Sequence, residues 1–318
     1  WGLSLGRATG WQFYSAVSQD VLPKLSAGRE SHWGFPGYYL ILALVTFYPG
    51  SMVLLTAARS AWRGWSSSPA QRFCLAWLLP TWIACEIIPT KLPHYVLPVY
   101  PALALLIAQA ACAWKGAAPG WREHVQAALW MIITLALVSA VPIGAILLRE
   151  GIGPAVALWA ALALAFAAPC FMLAWKGRLT RALWLSVFAA VLSFASLKLW
   201  ILPGFDNLYL SGKATSAIAS RGVGEVAAVG YLEPSLVFDL WPHITLADAV
   251  SAVRFLDGPG RRAVLISDEA EPEFIARSGA GAHLRRVWIG HGFNYTKGRW
   301  TTLTLYEKSG SASGRYQH

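Results

Sequence analysis

Six long stretches of the sequence are almost free of charged side chains, and this feature constrains the fold more than any other. A helix needs about 20 apolar residues to cross the hydrocarbon core of a bilayer, and each stretch reaches or approaches that length. Prolines inside them, such as Pro49, are tolerated in membrane helices. We therefore predict transmembrane helices at 37–58, 73–89, 95–114, 125–148, 152–175 and 182–202.

The composition supports a membrane protein. Only 13% of the 318 residues are charged and 56% are hydrophobic, whereas soluble domains carry roughly 25% charged residues. This balance excludes a disordered chain and argues against an ordinary soluble enzyme. The net charge of +10 fits cytoplasmic loops and contacts with anionic membrane lipids, and we predict no nucleic-acid partner.

Loop charges predict the orientation. Basic residues cluster in alternate loops, namely Arg59, Arg63 and Arg72, then Lys115 and Arg122, then Lys176, Arg178 and Arg181. The positive-inside rule places these loops in the cytoplasm. The first 36 residues, the loop with Lys91 and everything after Pro203 then share the outer face. In a bacterium, this describes a multi-pass protein of the inner membrane whose C-terminal domain is periplasmic.

The two ends of the chain differ from the middle. Residues 1–36 mix aromatic and polar side chains and predict a periplasmic amphipathic segment in the membrane interface. Residues 204–308 predict a small periplasmic α/β domain, with strands at 226–231, 236–240, 263–267, 286–289 and 300–306 and helices at 213–220, 245–256 and 272–278. The tail 309–318 is rich in Ser and Gly and predicts disorder.

The segment 86–101 carries the densest chemistry. Lys91 lies between two predicted spans, beside prolines, with Tyr95 about one turn further on. Lys91 is a point charge at headgroup depth, which suits a lipid-linked phosphate, and the Tyr95 hydroxyl is suited to donate to a phosphate oxygen. The alternative is an ordinary membrane anchor, with a snorkelling lysine and an interfacial tyrosine.

Three further residues are candidates for a site. Glu86 is a carboxylate near the end of a span, so it is a candidate substrate or ion contact and a candidate partner of Lys91. Glu30 and His32 precede the first span, and His32 is a candidate metal ligand. A zinc site needs more ligands than one histidine, so a divalent cation is a hypothesis and no cofactor is required.

Residues 91–101, K-L-P-H-Y-V-L-P-V-Y-P, resemble the K-L-P-x-Y-[IV]-L-P segment of glycosyltransferase family 39. This family includes the aminoarabinose transferases of lipid A modification and the protein O-mannosyltransferases. Weaker resemblances to its bacterial members lie at 20–39, at 230–238 (G-Y-L-E-P-S-L-V-F) and at 293–300 (F-N-Y-T-K-G-R-W). Together they extend over nearly the whole chain.

The resemblance implies a GT-C membrane bundle that moves a sugar, with inversion, from a polyprenyl-phosphate donor to a lipid, glycan or protein acceptor on the periplasmic face. Lys91 and Tyr95 would hold the donor phosphate. The family's catalytic Asp lies in the first outer loop, so we expect this chain to be a C-terminal portion with no catalytic residue of its own. The family resemblance leaves the oligomeric state open.

Two other functions remain open at this stage. A transporter or flippase for a lipid-linked glycan would place polar residues along a path at mid-membrane depth, and the six stretches contain few of them. A non-catalytic membrane assembly subunit would use the α/β domain as a binding module.

Overall fold

Helices dominate the first two thirds of this computed structural model, which describes residues 2–8, 10–12, 14–15, 34–114, 118–279 and 284–308. The helices are α1 (Gly2–Ala8), α2 (Tyr38–Thr46), α3 (Leu54–Gly64), α4 (Pro69–Ile87), α5 (Tyr100–Ala113), α6 (Trp121–Leu147), α7 (Pro154–Trp175) and α8 (Leu179–Ser196). The chain forms two units. The membrane unit contains the helices up to Val141 together with Ala157–Leu197, and the α/β unit contains Pro142–Val156 together with the chain from Lys198 onward.

Four helical segments in the described part of the chain are long and apolar enough to cross a membrane: Pro93–Ala113, Trp121–Leu147, Pro154–Trp175 and Leu179–Gly204. A fifth span results if Tyr38–Thr46 and Gly50–Gly64 are counted together. The predicted stretch 73–89 forms α4, which is not among them. The mostly helical, membrane-type fold is thus confirmed in outline, and the count of six spans stays a prediction.

The first predicted span, 37–58, is not one continuous helix. Helix α2 ends at Thr46, a 3-10 turn follows at Gly50–Val53, and the two halves are bent by 115°. Pro49 lies at the break; it has no backbone N–H to donate, and its ring would clash with the preceding turn of a helix. Here the proline ends the helix instead of being accommodated within it.

Small residues form the helix contacts of the membrane unit. Alanines occupy many of its most buried positions, including Ala57, Ala61, Ala102, Ala127 and Ala182. Small side chains let helix backbones approach closely. Helices in a bilayer associate through such close packing, because lipid tails are as apolar as the helix surfaces and there is no hydrophobic driving force between helices. Large apolar side chains such as Leu105, Ile132 and Trp184 face outward, as expected for contact with acyl chains.

The α/β unit is built on a mixed five-stranded sheet with helices on both faces. Its elements are α9 (Leu210–Ser220), β1 (Glu225–Val229), α10 (Pro234–Leu240), β2 (Ile244–Leu246), α11 (Ala249–Phe255), β3 (Arg262–Ser267), α12 (Glu271–Ser278), β4 (Leu284–Asn294) and β5 (Arg299–Lys308). The strand order is β2-β1-β3-β5-β4; β1 is parallel to β2 and β3, and β5 is antiparallel to β3 and β4. One apolar cluster packs α9 and α10 on one face, and another packs α11 and α12 on the other.

The predicted strand at 236–240 is wrong, because these residues form helix α10. Pro234 occupies the first helical turn, where its fixed φ and missing N–H are both favourable. Leu236 is fully buried whereas Phe238 is 84% exposed. A run of apolar residues this short does not distinguish a strand from one turn of helix, and the proline was the better indicator.

Candidate functional site

Glu86, in the last turn of α4, holds the start of helix α2. Its two carboxylate oxygens accept hydrogen bonds from the backbone N–H groups of Gly37 and Tyr39, each at 3.0 Å. The first N–H groups of a helix have no partner within the helix, and a negative charge there also interacts favourably with the helix dipole. Glu86 therefore joins two elements that are 47–49 residues apart in sequence.

Lys91 caps the C-terminal end of α4, the helix that contains Glu86. Its ammonium donates to the carbonyl oxygens of Cys85 (3.1 Å), Glu86 (2.7 Å) and Ile88 (3.1 Å), and lies 3.4 Å from the Glu86 carboxylate. These carbonyls are at the C-terminus of α4, where a cation is favoured. The Lys91 side chain is 1% exposed. Its hydrogen-bonding capacity is thus fully used inside the protein.

The neighbouring segment packs tightly onto this lysine. A Cβ atom on Gly34 would lie 2.6 Å from the Cδ of Lys91, so only glycine fits there, and the Gly34 N–H donates to the Pro89 carbonyl at 3.1 Å. Tyr39 is fully buried, with its ring centroid 5.3 Å from the ammonium and its hydroxyl donating to the Leu92 carbonyl at 3.2 Å. We call Gly34, Tyr39, Glu86 and Lys91 the lysine knot.

Tyr95 lies just beyond the knot, in the 3-10 turn Pro93–Val99 that precedes α5. Its ring is half-buried and packs edge-on against His94, with centroids 5.0 Å apart. Its backbone N–H donates to the Leu92 carbonyl, and its hydroxyl makes no hydrogen bond with any residue that the structure describes. Of the two predicted phosphate contacts, Tyr95 therefore has the available donor group, whereas Lys91 is engaged within the knot.

An apolar cavity of about 460 Å³ begins close to this turn. Thr46 and Tyr100, which are hydrogen-bonded to each other, line one part of it. From there it follows a stripe of α5 positions three or four residues apart and is closed by α8; the stripe consists of Tyr100, Ala104, Ile107, Ala108 and Ala111. This length of α5 corresponds to about 16 Å at the rise of an α-helix. The cavity can therefore take an extended apolar chain.

A second cavity of the membrane unit has a volume of about 250 Å³ and lies between α6, α7 and α8. Tyr48 and Trp130 both line it, with stacked rings 5.7 Å apart. The Trp130 indole N–H is buried and has no hydrogen-bond partner among the described residues. Sequence reasoning missed both cavities, because they depend on which helices are neighbours.

In the α/β unit, the two segments with weaker resemblance to the family, 230–238 and 293–300, are in contact. The hydroxyl of Thr296, in the segment 293–300, donates to the Glu233 carboxylate, in the segment 230–238, at 2.7 Å. Glu233 is 5% exposed. The contact joins the loop after β1 to the turn between β4 and β5, so the two segments stabilise one corner of the sheet.

The loop between α6 and α7 is bound within the α/β unit. The Glu150 carboxylate accepts from the Asn207 backbone N–H at 2.6 Å, and the Asn207 side chain donates to the Leu148 carbonyl at 2.9 Å. The Arg149 guanidinium lies 4.6 Å from the centre of the Trp300 ring. All of these residues belong to the α/β unit, so the contacts fix the loop within that unit.

The predicted metal site cannot be placed. Glu30 and His32 lie outside the described residues, and within the described part of the chain no three His, Cys, Asp or Glu side chains are grouped to bind a metal ion. The cation and the contacts of Glu30 and His32 stay predictions.

The apolar helices of spanning length define a multi-pass membrane protein, and the chain also contains a separate α/β unit. The chain is similar to undecaprenyl phosphate-alpha-4-amino-4-deoxy-L-arabinose arabinosyl transferases. It is 32% identical over 111 residues to that of Pectobacterium carotovorum subsp. carotovorum (34% of this chain, 19% of the relative). It is 35% identical over 98 residues to that of Edwardsiella ictaluri (31% and 17%). No family model matches the chain.

Solved structures show the same fold. ArnT from Cupriavidus metallidurans, bound to undecaprenyl phosphate, superimposes with a TM-score of 0.61 at 16% identity, over 97% of this chain and 57% of ArnT. Its apo form gives 0.57 at 15% identity, over 96% and 60%. The resemblance to aminoarabinose transferases found in the motifs is thereby confirmed. The chain spans somewhat over half of the solved ArnT chain, and the matched regions are about a fifth of the curated relatives.

Proposed function

We propose that this chain is the donor-lipid-binding part of an inverting membrane glycosyltransferase, which moves a sugar from a polyprenyl-phosphate donor to a lipid, glycan or protein acceptor. The observation that carries the proposal is the Tyr95 hydroxyl, which has no hydrogen-bond partner among the described residues. It lies in the turn between the lysine knot and α5, the helix that lines the apolar cavity. A polyprenyl phosphate has the matching form, an anionic head on a long apolar chain. The similarity to proteins named for an undecaprenyl-phosphate substrate supports the same chemistry.

In this proposal, Tyr95 and Lys91 serve the donor phosphate in different ways. The Tyr95 hydroxyl donates to a phosphate oxygen. Lys91 fixes the turn, because its ammonium is already bonded to three carbonyl oxygens. It also contributes positive charge near the phosphate. Glu86 positions Lys91 and the start of α2. The polyprenyl chain occupies the cavity along α5.

The chemical benefit arises when the bond from the sugar to the phosphate breaks. Negative charge then grows on the leaving phosphate, and a fixed hydrogen-bond donor next to a fixed cation stabilises that charge more in the transition state than in the ground state. Glu30 and His32 are proposed contacts for the acceptor or for a divalent cation near this phosphate.

We place the site on the outer, periplasmic face of a bacterial inner membrane. The Arg-rich loops support this orientation through the positive-inside rule. The turn with Tyr95, the loop 148–153 and the chain after α8 all lie at the other ends of the candidate spans. The α/β unit, bound to that loop through Glu150 and Arg149, would then be periplasmic.

The test uses the full-length gene product in nanodiscs, with undecaprenyl phosphate binding and sugar transfer measured separately. Tyr95→Phe removes one hydroxyl and should weaken binding by about tenfold to a hundredfold, in line with the loss of one hydrogen bond to a charged group. Transfer should fall further than binding. Tyr38→Phe, a half-buried tyrosine at the start of α2, is the matched control. Unchanged binding and transfer in Tyr95→Phe would refute the proposed contact.

A further inference from the structure

The α/β unit contains a groove of about 920 Å³ between helix α9 and the edge strand β4. Its lining is more polar than that of either apolar cavity, and it lies in a different unit from the lysine knot and both of those cavities. Its volume is in the range of small-molecule sites. None of the roles proposed above uses it.

Two aromatic side chains border this groove. Tyr209 is 48% exposed at the start of α9. On the opposite wall, the Trp288 indole lies across Gly290: a Cβ at Gly290 would be 2.2 Å from the indole ring. Gly290 therefore leaves the space that the indole occupies. Trp288 is half-buried and packs partly against the core of the unit, so only part of its ring faces the groove. Tyrosine and tryptophan rings offer an apolar face beside a polar group, the combination suited to the C–H faces and hydroxyls of a sugar ring.

Helix α9 adds a polar stripe. Lys213, Ser216 and Ser220 follow Tyr209 at helical spacing and all line the groove, whereas the opposite face of α9 is buried through Leu210, Ala214 and Ile218. Lys213 is half-buried and forms no ion pair with any residue that the structure describes. A cation placed in this way is available to an anionic ligand.

The strand wall is fixed and polar. Strand β4 is at the edge of the sheet, so its outward backbone groups are available as hydrogen-bond donors and acceptors. Arg221, at the end of α9, donates to the Val287 carbonyl and joins the two walls. At Gly292 a Cβ would be 2.8 Å from Leu210 and 3.0 Å from the Asn207 carbonyl. Helix α9 thus lies too close for the side chains of an added peptide strand.

We propose that this groove is a saccharide-binding site that prefers a sugar with a negative charge. Tyr209 and Trp288 contact the sugar faces, the serine hydroxyls and the β4 backbone bind its hydroxyls, and Lys213 pairs with a carboxylate or phosphate. The site is separate from the donor-phosphate turn and does not depend on the transferase proposal.

The experiment measures binding of digalacturonic acid, glucose 6-phosphate and neutral cellobiose by saturation-transfer NMR, with the full-length gene product in nanodiscs. The two acidic sugars should bind more tightly than cellobiose. Lys213→Ala should weaken the acidic sugars by about tenfold, the effect of one charge-assisted hydrogen bond, and leave cellobiose unchanged. Tyr209→Ala should weaken all three.

Two variants control for position and folding. Lys297→Ala and Tyr295→Ala change the same residue types in the turn between β4 and β5 and should leave binding unchanged. Gly290→Ala displaces the Trp288 indole and should weaken all three sugars while the thermal unfolding midpoint stays near the original. The proposal is wrong if neither acidic sugar binds, or if binding is the same in Lys213→Ala and Tyr209→Ala as in the original protein. Its failure leaves the Tyr95 result unaffected.

Discussion

Glu86 in the membrane unit and Glu307 in the α/β unit are both largely removed from water, yet their surroundings differ. The Glu86 side chain is 17% exposed and receives two backbone N–H groups and the Lys91 ammonium. The Glu307 side chain is 2% exposed, and its charged partners among the described residues are two partly exposed arginines, Arg261 at 3.8 Å and Arg285 at 3.7 Å. Its Oε1 atom has no hydrogen-bond partner among the described residues.

The difference teaches what a buried carboxylate contributes. Removing a charge from water costs several kcal/mol, and only close partners with good geometry offset that cost. Glu86 has such partners: the backbone N–H groups at the start of α2 and the Lys91 ammonium in the turn before Tyr95. Glu307 lacks them. We infer that Glu86 positions structure, whereas Glu307 lowers stability.

The largest predicted effect follows from removing the cation of the lysine knot. Lys91→Met leaves Glu86 without its counter-ion and three α4 carbonyls without their donor. Breaking a buried pair on one side costs about 3–5 kcal/mol. We expect a clear drop in the temperature at which the protein in detergent loses its monodisperse, folded form.

Two further variants sharpen this result. Lys297→Met removes a lysine that lies 4.0 Å from Glu269, with both side chains about half exposed, and such pairs contribute about 0–1 kcal/mol. In the double variant Glu86→Gln with Lys91→Met, no charge is left unpaired, so it should be more stable than the sum of the single effects predicts. If Lys91→Met lowers the unfolding temperature no more than Lys297→Met does, then close partners do not stabilise Glu86, and the proposed difference between Glu86 and Glu307 is wrong.

Part of the knot could be predicted from sequence. A glutamate near the end of a predicted span, five residues before Lys91, suggests a pair, and the structure contains that pair. The engagement of Lys91 with the α4 carbonyls could not be predicted, because a lysine near headgroup depth is equally suited to a snorkelling position. Gly34 contacts Lys91 and Tyr39 contacts Leu92, in each case across more than 50 positions of sequence. Local sequence patterns cannot predict contacts over that separation.

The fold shows the same limit. Periodicity and apolar length indicated α6, α7 and α8, and β-branched runs indicated β1, β3 and β5. They did not locate the short helix α10 or strand β2, which contains Thr245 and Leu246 of the predicted helix 245–256, because such short runs do not distinguish a strand from a helix. They did not locate the break at Pro49 either, because the effect of a proline in a membrane helix depends on whether neighbouring elements replace the lost hydrogen bond. The groove beside β4 depends on that strand being at the sheet edge, and strand order is set by tertiary packing.

A medium effect of opposite sign is expected at Glu307. Glu307→Met replaces a poorly satisfied charge with an apolar side chain of similar length in the middle of a packed sheet. Replacing a buried ion pair by apolar groups is often neutral or stabilising by 1–4 kcal/mol, and we expect about 1–2 kcal/mol here, because Arg261 and Arg285 remain hydrated. Hydrogen exchange of the β5 amides should slow.

The control for that prediction is Glu225→Met, at an exposed carboxylate 2.8 Å from Arg262. It should change the exchange of β5 by little, because surface pairs contribute about 0–1 kcal/mol. Faster exchange in Glu307→Met than in Glu225→Met would mean that the long arginine contacts satisfy Glu307 after all.

The smallest effect concerns Glu271, an intermediate case with a neutral donor. Its carboxylate accepts from the Tyr306 hydroxyl at 2.5 Å, and the Arg286 guanidinium lies within 3.5 Å. Burial, together with the hydrogen bond to Glu271, raises the pKa of Tyr306 above its ordinary value of 10. The protonated phenol is therefore favoured in the folded state. Its contribution to stability is present below pH 10 and is lost as the pH rises through the raised pKa.

Tyr306→Phe removes this hydrogen bond and should cost about 0.5–1.5 kcal/mol at pH 8, measured by hydrogen exchange of β5. Above pH 10 the unfolded chain releases the phenol proton while the folded protein retains it, so the original protein loses stability that the variant cannot lose. The gap between the two should therefore narrow as the pH rises. A gap that stays constant to pH 11 would mean that the phenol is not held in its protonated form. Glu271 would then be satisfied mainly by Arg286, as in the cation-dependent arrangement around Glu86.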